Sequence, residues 1–102
     1  MTTKVELDLP IGEPEFLHLC NELNISYIGL FGSASRGEQR ADSDLDLLVH
    51  FSKPQSLLDV IEVELRLEEY LGREVDVVTE GNIKPRIRKK IMEDLVDLYG
   101  TR

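Results

Sequence analysis

The feature that most constrains the fold is the alternation of apolar and polar residues from Asp44 to Phe51. A period of two is typical of a β-strand with one face in the core. The residues expected to point into the core are Leu45, Leu47 and Val49. Asp44 and Asp46 then share the opposite face with Leu48, roughly 6–7 Å apart along the strand, and their charges repel each other. Because a divalent cation would relieve that repulsion, the strand carries either an ordinary solvated face or a metal site.

The remaining residues predict a small mixed β-sheet flanked by helices, which is an α/β (α+β) fold. The expected order is helix, strand, strand, helix, strand, helix, with these bounds: Glu13–Leu23, Ile25–Phe31, Asp44–Phe51, Ser56 to about Leu71, Glu74–Thr79, and a helix from Pro85. Ser56 and Asp59 have the spacing of a capping box. Val96–Tyr99 forms either the last turn of the final helix or a short edge strand. Residues 1–8 form either an N-terminal arm or an edge strand, and residues 1–102 are expected to form one domain.

The charge of the chain limits its partners. It has 12 basic and 20 acidic residues and a net charge of -8 at pH 7, which repels the phosphate backbone of nucleic acids. We therefore expect no direct nucleic-acid binding, and a substrate that arrives with divalent cations fits better. No apolar run reaches the length of a membrane span, and Cys20 is the only cysteine. We expect a cytoplasmic protein without a membrane span or disulfide, with Cys20 in the core.

The segment Gly32–Ser43 is small and polar and directly precedes the paired carboxylates. A strand that leaves its sheet through Gly32 and Ser33 exposes backbone N–H groups that can bind an anion. Gly32 lets phosphate approach closely, Ser33 adds a hydroxyl donor, and Arg36 supplies positive charge. A lone Gly-Ser pair is also the sequence of an ordinary turn. Gly-Ser followed after ten residues by Asp-x-Asp, however, is expected by chance only about once per thousand chains of this length.

Asp76 repeats the strand pattern, with apolar neighbours that face the other way. If its strand lies beside the strand of Asp46, three carboxylates gather on one patch. Hard oxygen ligands of this kind suit Mg²⁺, and two such ions can clamp both ends of an in-line phosphoryl displacement. Asp44, Asp46 and Asp76 are therefore candidate magnesium ligands, with two ions expected if they bind the metal, and the ordinary alternative is the solvated face of a half-covered sheet.

Residues 31–38 (FGSASRGE) and 42–49 (DSDLDLLV) resemble the signature of the DNA polymerase beta-like nucleotidyltransferase superfamily. The short length, residues 75–78 (VDVV) and the helix start at residues 84–88 (KPRIR) make the chain similar to the minimal nucleotidyltransferases. Members of that family are typically the antitoxin partners of HEPN-domain ribonuclease toxins. The resemblance extends over nearly the whole chain.

The resemblance implies a role for each matching residue. Gly32 and Ser33 would hold the β- and γ-phosphates of ATP, with Arg36 at the family's usual basic position. The carboxylates that would ligate Mg²⁺ are Asp44, Asp46 and Asp76. Asp76 would also help to activate the attacking group, and the reaction would transfer AMP from ATP to a tyrosine hydroxyl of the toxin. Many relatives carry an arginine directly after the Gly-Ser pair, where this chain has Ala34 and so one positive charge fewer.

Two other functions remain open from the sequence. The first is a non-catalytic antitoxin that neutralises its toxin by binding, and the second is a stand-alone nucleotidyltransferase that modifies a small molecule. Because a chain this short cannot build a deep cleft, we expect the toxin or a homo-oligomer to complete the site. The basic run from Lys84 to Lys90 is either a solvated helix face or a contact for the triphosphate, for an acidic partner surface or for RNA carried by the partner.

Overall fold

The computed structural model describes residues 9–32, 35 and 44–102 of the protein. The elements in these residues are α1 (Pro14–Glu22), β1 (Ile25–Phe31), β2 (Leu45–Phe51), α2 (Leu57–Leu71), β3 (Val75–Thr79), α3 (Pro85–Asp94) and β4 (Val96–Gly100). A short 3-10 turn, Glu80–Asn82, connects β3 to α3. The predicted order is confirmed, and Val96–Tyr99 belongs to a strand instead of the end of a helix. The predicted arm or strand at residues 1–8 lies outside the described residues.

The strands form one mixed sheet in the order β3-β2-β1-β4. β1 pairs antiparallel with β2 and β4, whereas β2 and β3 run parallel because α2 crosses over between them. Alternate strand residues pack with α1 and α2 into one buried cluster, and α3 covers the opposite face, where Ile91 is buried. The expected α/β fold, a small mixed sheet flanked by helices, is therefore confirmed. No helix in the described ranges is long and apolar enough to cross a membrane.

The main core lies between the sheet and the helices α1 and α2. It includes the strand residues that the alternation predicted: Leu45, Leu47 and Val49. The rings of Tyr70 and Tyr99 lie 5.8 and 6.1 Å from the ring of Phe16 and close the rim of this core. Cys20 is fully buried there, and burial raises the pKa of its thiol to about 12. Because the thiolate is the reactive form, Cys20 is an unreactive core residue.

The local sequence defines both ends of α2. The N–H of Asp59 donates to the Ser56 hydroxyl at 3.2 Å, and the N–H of Ser56 donates to the Asp59 carboxylate at 2.9 Å, which forms the predicted capping box. Gly72 ends the helix with a φ of 72°, a left-handed conformation that glycine adopts without steric strain. These two ends fix where the chain enters β3 and therefore help to set the register of β3 beside β2.

Two glutamates of α2 close the outer edge of β3. The N–H of Val77 donates to the carboxylate of Glu64 at 2.9 Å, and the N–H of Val75 donates to that of Glu68 at 3.1 Å. The exposed N–H groups of an edge strand otherwise pair readily with another chain. The side chains of α2 therefore both protect this edge and hold β3 in place.

Replacing both glutamates, Glu64→Ala with Glu68→Ala, is expected to lower the free energy of unfolding by about 1–2 kcal/mol, because two N–H groups lose charged acceptors. The exposed edge is also expected to make the protein self-associate at high concentration. Chemical denaturation and size-exclusion chromatography measure the two effects. Glu69→Ala, on the exposed side of the same helix, is the matched control. A double variant that is as stable as this control and elutes at the same volume would show that the edge needs no protection.

β4 is joined to β1 by more than backbone pairing. The hydroxyl of Tyr27 donates to the carboxylate of Asp97 at 2.6 Å, a contact between residues 70 positions apart. Tyr27 is fully buried, and burial together with this acceptor raises the pKa of its hydroxyl above the ordinary value. The bond therefore satisfies a polar group that burial would otherwise leave without water.

Candidate active site

The carboxylates that the sequence singled out lie together at one end of β2 and β3. In the parallel register Asp46 lies directly beside Asp76, and Asp44 is exposed just before β2. Burial raises the pKa of Asp46 above its ordinary value, and the charges of Asp76 and Asp44 raise it further. The charges of Asp44 and Asp76 are therefore close enough to disfavour the charged form of Asp46, and a cation beside Asp46 would relieve this repulsion.

Gly32 brings the end of β1 against the Asp46 carboxylate. Phe31, the last residue of β1, pairs with Asp46, and Gly32 then turns the chain with a φ of 81°. A Cβ atom at this position would lie 2.5 Å from Oδ2 of Asp46, closer than ordinary packing allows. Both the backbone conformation and the carboxylate therefore require glycine here.

Ser35 stabilises the turn that follows Gly32. Its N–H and its hydroxyl both donate to the Gly32 carbonyl, at 3.1 and 2.8 Å, and the residue is buried. Sequence reasoning missed this role, although a serine three residues after a strand-ending glycine is a known turn partner. The predicted phosphate ligands Ser33 and Arg36 lie outside the described residues, so their roles stay predictions.

A cavity of about 400 Å³ opens between the carboxylates and α3. Its floor is formed by strand residues: Phe31, Asp46, Asp76 and Val78. Its wall comes from the segment between residues 82 and 91, which includes Lys84 and Arg86. A larger groove of about 670 Å³ lies between α1 and α2, but it is on the far side of the sheet from the carboxylates. The smaller cavity is therefore the place where a substrate can meet the carboxylates.

The structure divides the basic run of residues 84–90 into two groups. Lys84 and Arg86 line the cavity beside the carboxylates. Arg88 instead pairs with Glu80, and Lys90 lies 3.6 Å from the carboxylate of Asp94. Its first two cations therefore lie at the cavity, and Arg88 and Lys90 lie against carboxylates of the fold; the role of the run stays a prediction.

Glu80 joins the sheet to α3 through two partners that sequence reasoning missed. Nε2 of His50 lies 2.8 Å from Oε1 of Glu80, and Arg88 contacts the other carboxylate oxygen. Burial alone would raise the pKa of Glu80, but the hydrogen bonds from His50 and Arg88 outweigh it and lower the pKa below its ordinary value. His50 and Glu80 are 30 residues apart, so no local pattern indicates that they meet. Because Arg88 belongs to α3, its contact with Glu80 ties α3 to this turn.

The substitution Arg88→Ala removes one partner of Glu80. It is expected to lower the free energy of unfolding by less than about 1 kcal/mol, because the Arg88–Glu80 pair is partly exposed to solvent. Since folding lowers the pKa of Glu80, its contribution is present above the ordinary value of 4.5 and is lost as the pH falls through the folded-state pKa. Denaturation at neutral pH and in acid measures this change, with Lys89→Ala as control. A deficit that persists undiminished in acid would contradict the role of charged Glu80.

The donor chemistry of the site fits Mg²⁺. Among the residues that the structure describes, no three His, Cys, Asp or Glu groups already form a ligand cage. Mg²⁺ usually takes only one or two carboxylates and completes its shell with phosphate oxygens and water. Asp46, with a pKa raised by burial and by two neighbouring charges, offers a carboxylate that suits this requirement. Gly32 brings the backbone at the end of β1 close to this carboxylate, since no Cβ separates the two.

A mixed sheet that presents adjacent strand carboxylates beside a glycine turn is suited to an enzyme that acts on the phosphates of a nucleotide. Residues 14–98 match the nucleotidyltransferase domain family. The chain belongs to this family and is an enzyme of the nucleotidyltransferase class.

Named relatives are similar over most of the chain. One is a candidate protein adenylyltransferase of Methanocaldococcus jannaschii, which is 45% identical over 69 residues that cover 68% of this chain and 74% of that protein. Another is the protein adenylyltransferase MntA of Thermococcus cleftensis, which is 42% identical over 78 residues that cover 76% of this chain and 79% of that protein. These relatives are alike in size as well as in sequence.

Solved structures share the fold. A structure described as a candidate minimal nucleotidyltransferase is 42% identical, with a TM-score of 0.67 and coverage of 78% of this chain and 82% of that one. A crystal structure of a toxin–antitoxin with AMP-PNP is 24% identical and has a TM-score of 0.74, covering 92% of this chain and 76% of that one. The second likeness concerns the fold alone.

Proposed function

We propose that the protein is an antitoxin enzyme that transfers AMP from ATP to a tyrosine hydroxyl of a HEPN-type ribonuclease toxin, with Mg²⁺ as cofactor. The observation that carries the proposal is the alignment of Asp46 with Asp76 on adjacent strands, directly beside the Gly32 turn. The relatives named protein adenylyltransferases support the reaction class. The choice of acceptor follows the description of a solved structure that shares only the fold, a tri-AMPylated HEPN toxin of Shewanella oneidensis in complex with an MNT antitoxin.

The acceptor oxygen attacks the α-phosphorus of ATP, a new phosphorus–oxygen bond forms, and pyrophosphate leaves. Asp44, Asp46 and Asp76 would hold Mg²⁺, which when bound neutralises phosphate charge and polarises the reacting oxygens. Asp76, exposed at the rim of the site, would orient the attacking hydroxyl and accept its proton. The Gly32 turn, with Ser33 and Arg36, would position the leaving pyrophosphate.

The openness of the site favours an acceptor on another macromolecule. Asp44 and Asp76 are exposed, and in the described part of the chain the only wall of the cavity outside the strands comes from residues 82–91. A protein surface that docks there can present a hydroxyl to the α-phosphate and exclude water at the same time. A small acceptor would instead need walls that α3 alone does not supply.

The test uses the purified protein, its genomic neighbour if that encodes a HEPN protein, Mg²⁺ and ATP labelled at the α-phosphate. We expect label on the neighbour, no transfer when the label is at the γ-phosphate, and loss of transfer when the acceptor tyrosine is replaced by phenylalanine. Unlabelled neighbour in the presence of intact ATP would overturn the enzymatic proposal. An Asp46→Asn, Asp76→Asn variant that still protects cells from the toxin would instead support neutralisation by contact.

A further inference from the structure

Four exposed aliphatic side chains form a stripe along the first half of α2. Leu57, Ile61 and Leu65 follow one another at intervals of four residues, which places them on one side of the helix, and Leu58 lies beside them. Their exposed fractions are 76% for Leu57, 77% for Leu58, 42% for Ile61 and 60% for Leu65. Because a large contiguous apolar patch usually marks an interaction surface, this α2 stripe needs an explanation.

The stripe is not the face by which α2 packs into the core. That face is formed by Val63, Leu67 and Leu71, which are buried and belong to the main core cluster. A helix that packs on one side only needs a single apolar face to fold. The packing of the chain therefore accounts for one apolar face of α2 and leaves the stripe without a structural role.

A recess continues the stripe at the N-terminal end of α2. It has a volume of about 420 Å³, and Leu57 lines it together with Phe51, Pro54 and Val60. Residues that contribute most to binding usually insert into a pocket of this kind. A row of aliphatic side chains beside a recess suits the docking of a helix, which packs its own row against the stripe and places one side chain in the recess.

The charge around the stripe determines which partner fits it. Glu64 and Glu68 border it on the side of β3, where they accept backbone N–H groups. Glu62 borders it on the side of α1, and Arg66, the one basic residue of α2, pairs with Glu22 and Glu62. A second copy of the chain, with its own net charge of -8, would bring like charges together. A partner with lysines or arginines beside its apolar residues would be attracted.

We propose that the α2 stripe docks a helix of another protein, in which a row of aliphatic side chains is flanked by lysines or arginines. The aliphatic row packs against the stripe, one side chain enters the recess beside Leu57, and the cations lie near Glu62. Because α2 and α3 cover opposite faces of the sheet, this surface is separate from the cavity beside Asp46. The inference therefore goes beyond AMP transfer: the chain holds a basic partner on one face and presents its carboxylates on the other.

Two synthetic peptides test the proposal by fluorescence anisotropy. One is a helical peptide with leucines on one face and lysines on the other, and the second has glutamate in place of every lysine. We expect the leucine–lysine peptide to bind more tightly, and Leu58→Gln with Leu65→Gln to weaken its binding about 10- to 100-fold, because two apolar contacts are lost. The matched control, Leu17→Gln with Ile87→Gln, removes exposed aliphatic side chains from α1 and α3 and should bind like the parent. Equal losses in the two double variants, or equal binding of the two peptides by the parent, would overturn the proposal.

A charge variant keeps the test valid if the leucine variant does not fold. Glu62→Gln changes an exposed side chain, and it is expected to weaken binding of the leucine–lysine peptide severalfold at low ionic strength and much less in high salt, where such charges are screened. Binding of the leucine–glutamate peptide should not weaken. Unchanged binding of the leucine–lysine peptide at low ionic strength would overturn the assignment of a basic partner.

Size-exclusion chromatography of the protein alone tests the other possible occupant of the stripe. We expect the parent and the variant with Leu58→Gln and Leu65→Gln to elute at the same volume. A dimer of the parent that this double variant dissociates would overturn the proposal, because a second copy would then cover the stripe. Asp46→Asn should bind the leucine–lysine peptide like the parent, so a failure of the proposed AMP transfer is distinguishable from a failure of this inference.

Discussion

Asp46→Asn is expected to reduce AMP transfer on the order of 10³-fold or more, because the strand carboxylate that faces both Asp76 and the Gly32 turn loses its charge. Asparagine has nearly the same shape, so the packing around β2 should remain. The comparison variant is Glu69→Gln, which neutralises an exposed carboxylate on the far side of the sheet. Transfer of label from ATP measures the effect, and activity within a few-fold of the parent would remove Asp46 from the reaction.

The same substitution is expected to stabilise the metal-free protein at neutral pH. Folding raises the pKa of Asp46 above its ordinary value of 3.8, so the charged form is less stable in the folded chain than in the unfolded one. The favourable contribution of this group is present below pH 3.8 and is lost as the pH rises through the folded-state pKa. Denaturation curves should therefore show Asp46→Asn above the parent at neutral pH and equal to it in strong acid. A destabilised variant at neutral pH would mean that hydrogen bonds to the carboxylate outweigh the repulsion.

Gly32→Ala is expected to damage both the fold and the site. A non-glycine residue held at positive φ costs about 1–3 kcal/mol, and the added Cβ would also press against Oδ2 of Asp46. The carboxylate must then move, so we expect AMP transfer to fall roughly 10²-fold or more, as happens when reacting groups are misplaced by about 1 Å. Thermal unfolding and the labelled-ATP assay measure the two losses.

Gly81→Ala is the control for this substitution. Gly81 lies in the exposed turn between β3 and α3, and a Cβ there would meet no atom within 4 Å. Its effect on stability should therefore be small. Equal losses in the two alanine variants would contradict the specific contact between Gly32 and Asp46.

The sequence predicted the first three strands of the sheet because they follow from local periodicity, whereas it predicted the meeting of the carboxylates only on the condition that β2 and β3 are neighbours. The alternation around Asp46 and Asp76 determines which face each side chain occupies, and a crossover helix between two strands favours their parallel pairing. The capping box at Ser56 likewise determines where α2 begins. Features that depend on one or two neighbouring residues were therefore accessible without coordinates.

The parts of the site that the sequence did not reveal depend on contacts between distant residues. The pairing of His50 with Glu80 and the different contacts of Arg86 and Arg88 depend on where α3 and the turn before it lie against the sheet. The hydrogen bond from the edge of β3 to Glu64 likewise depends on how α2 is placed against the sheet. The order of charged residues in a sequence does not show which way each side chain points. Which of them reaches a site is known only once the position of the helix is known.

The position of β4 has a consequence for the order of folding. The strands that carry Asp46 and Asp76 are joined by a single crossover helix, whereas β4 pairs with β1 across a separation of 70 residues. Contacts between distant residues form late, because closing a large loop costs conformational entropy before the new contacts contribute any stabilisation. The part of the sheet that carries Asp46 and Asp76 can therefore form before β4 pairs with β1. During synthesis, the hydrogen bond of Tyr27 can form only after Asp97 has left the ribosome, long after β1 has done so.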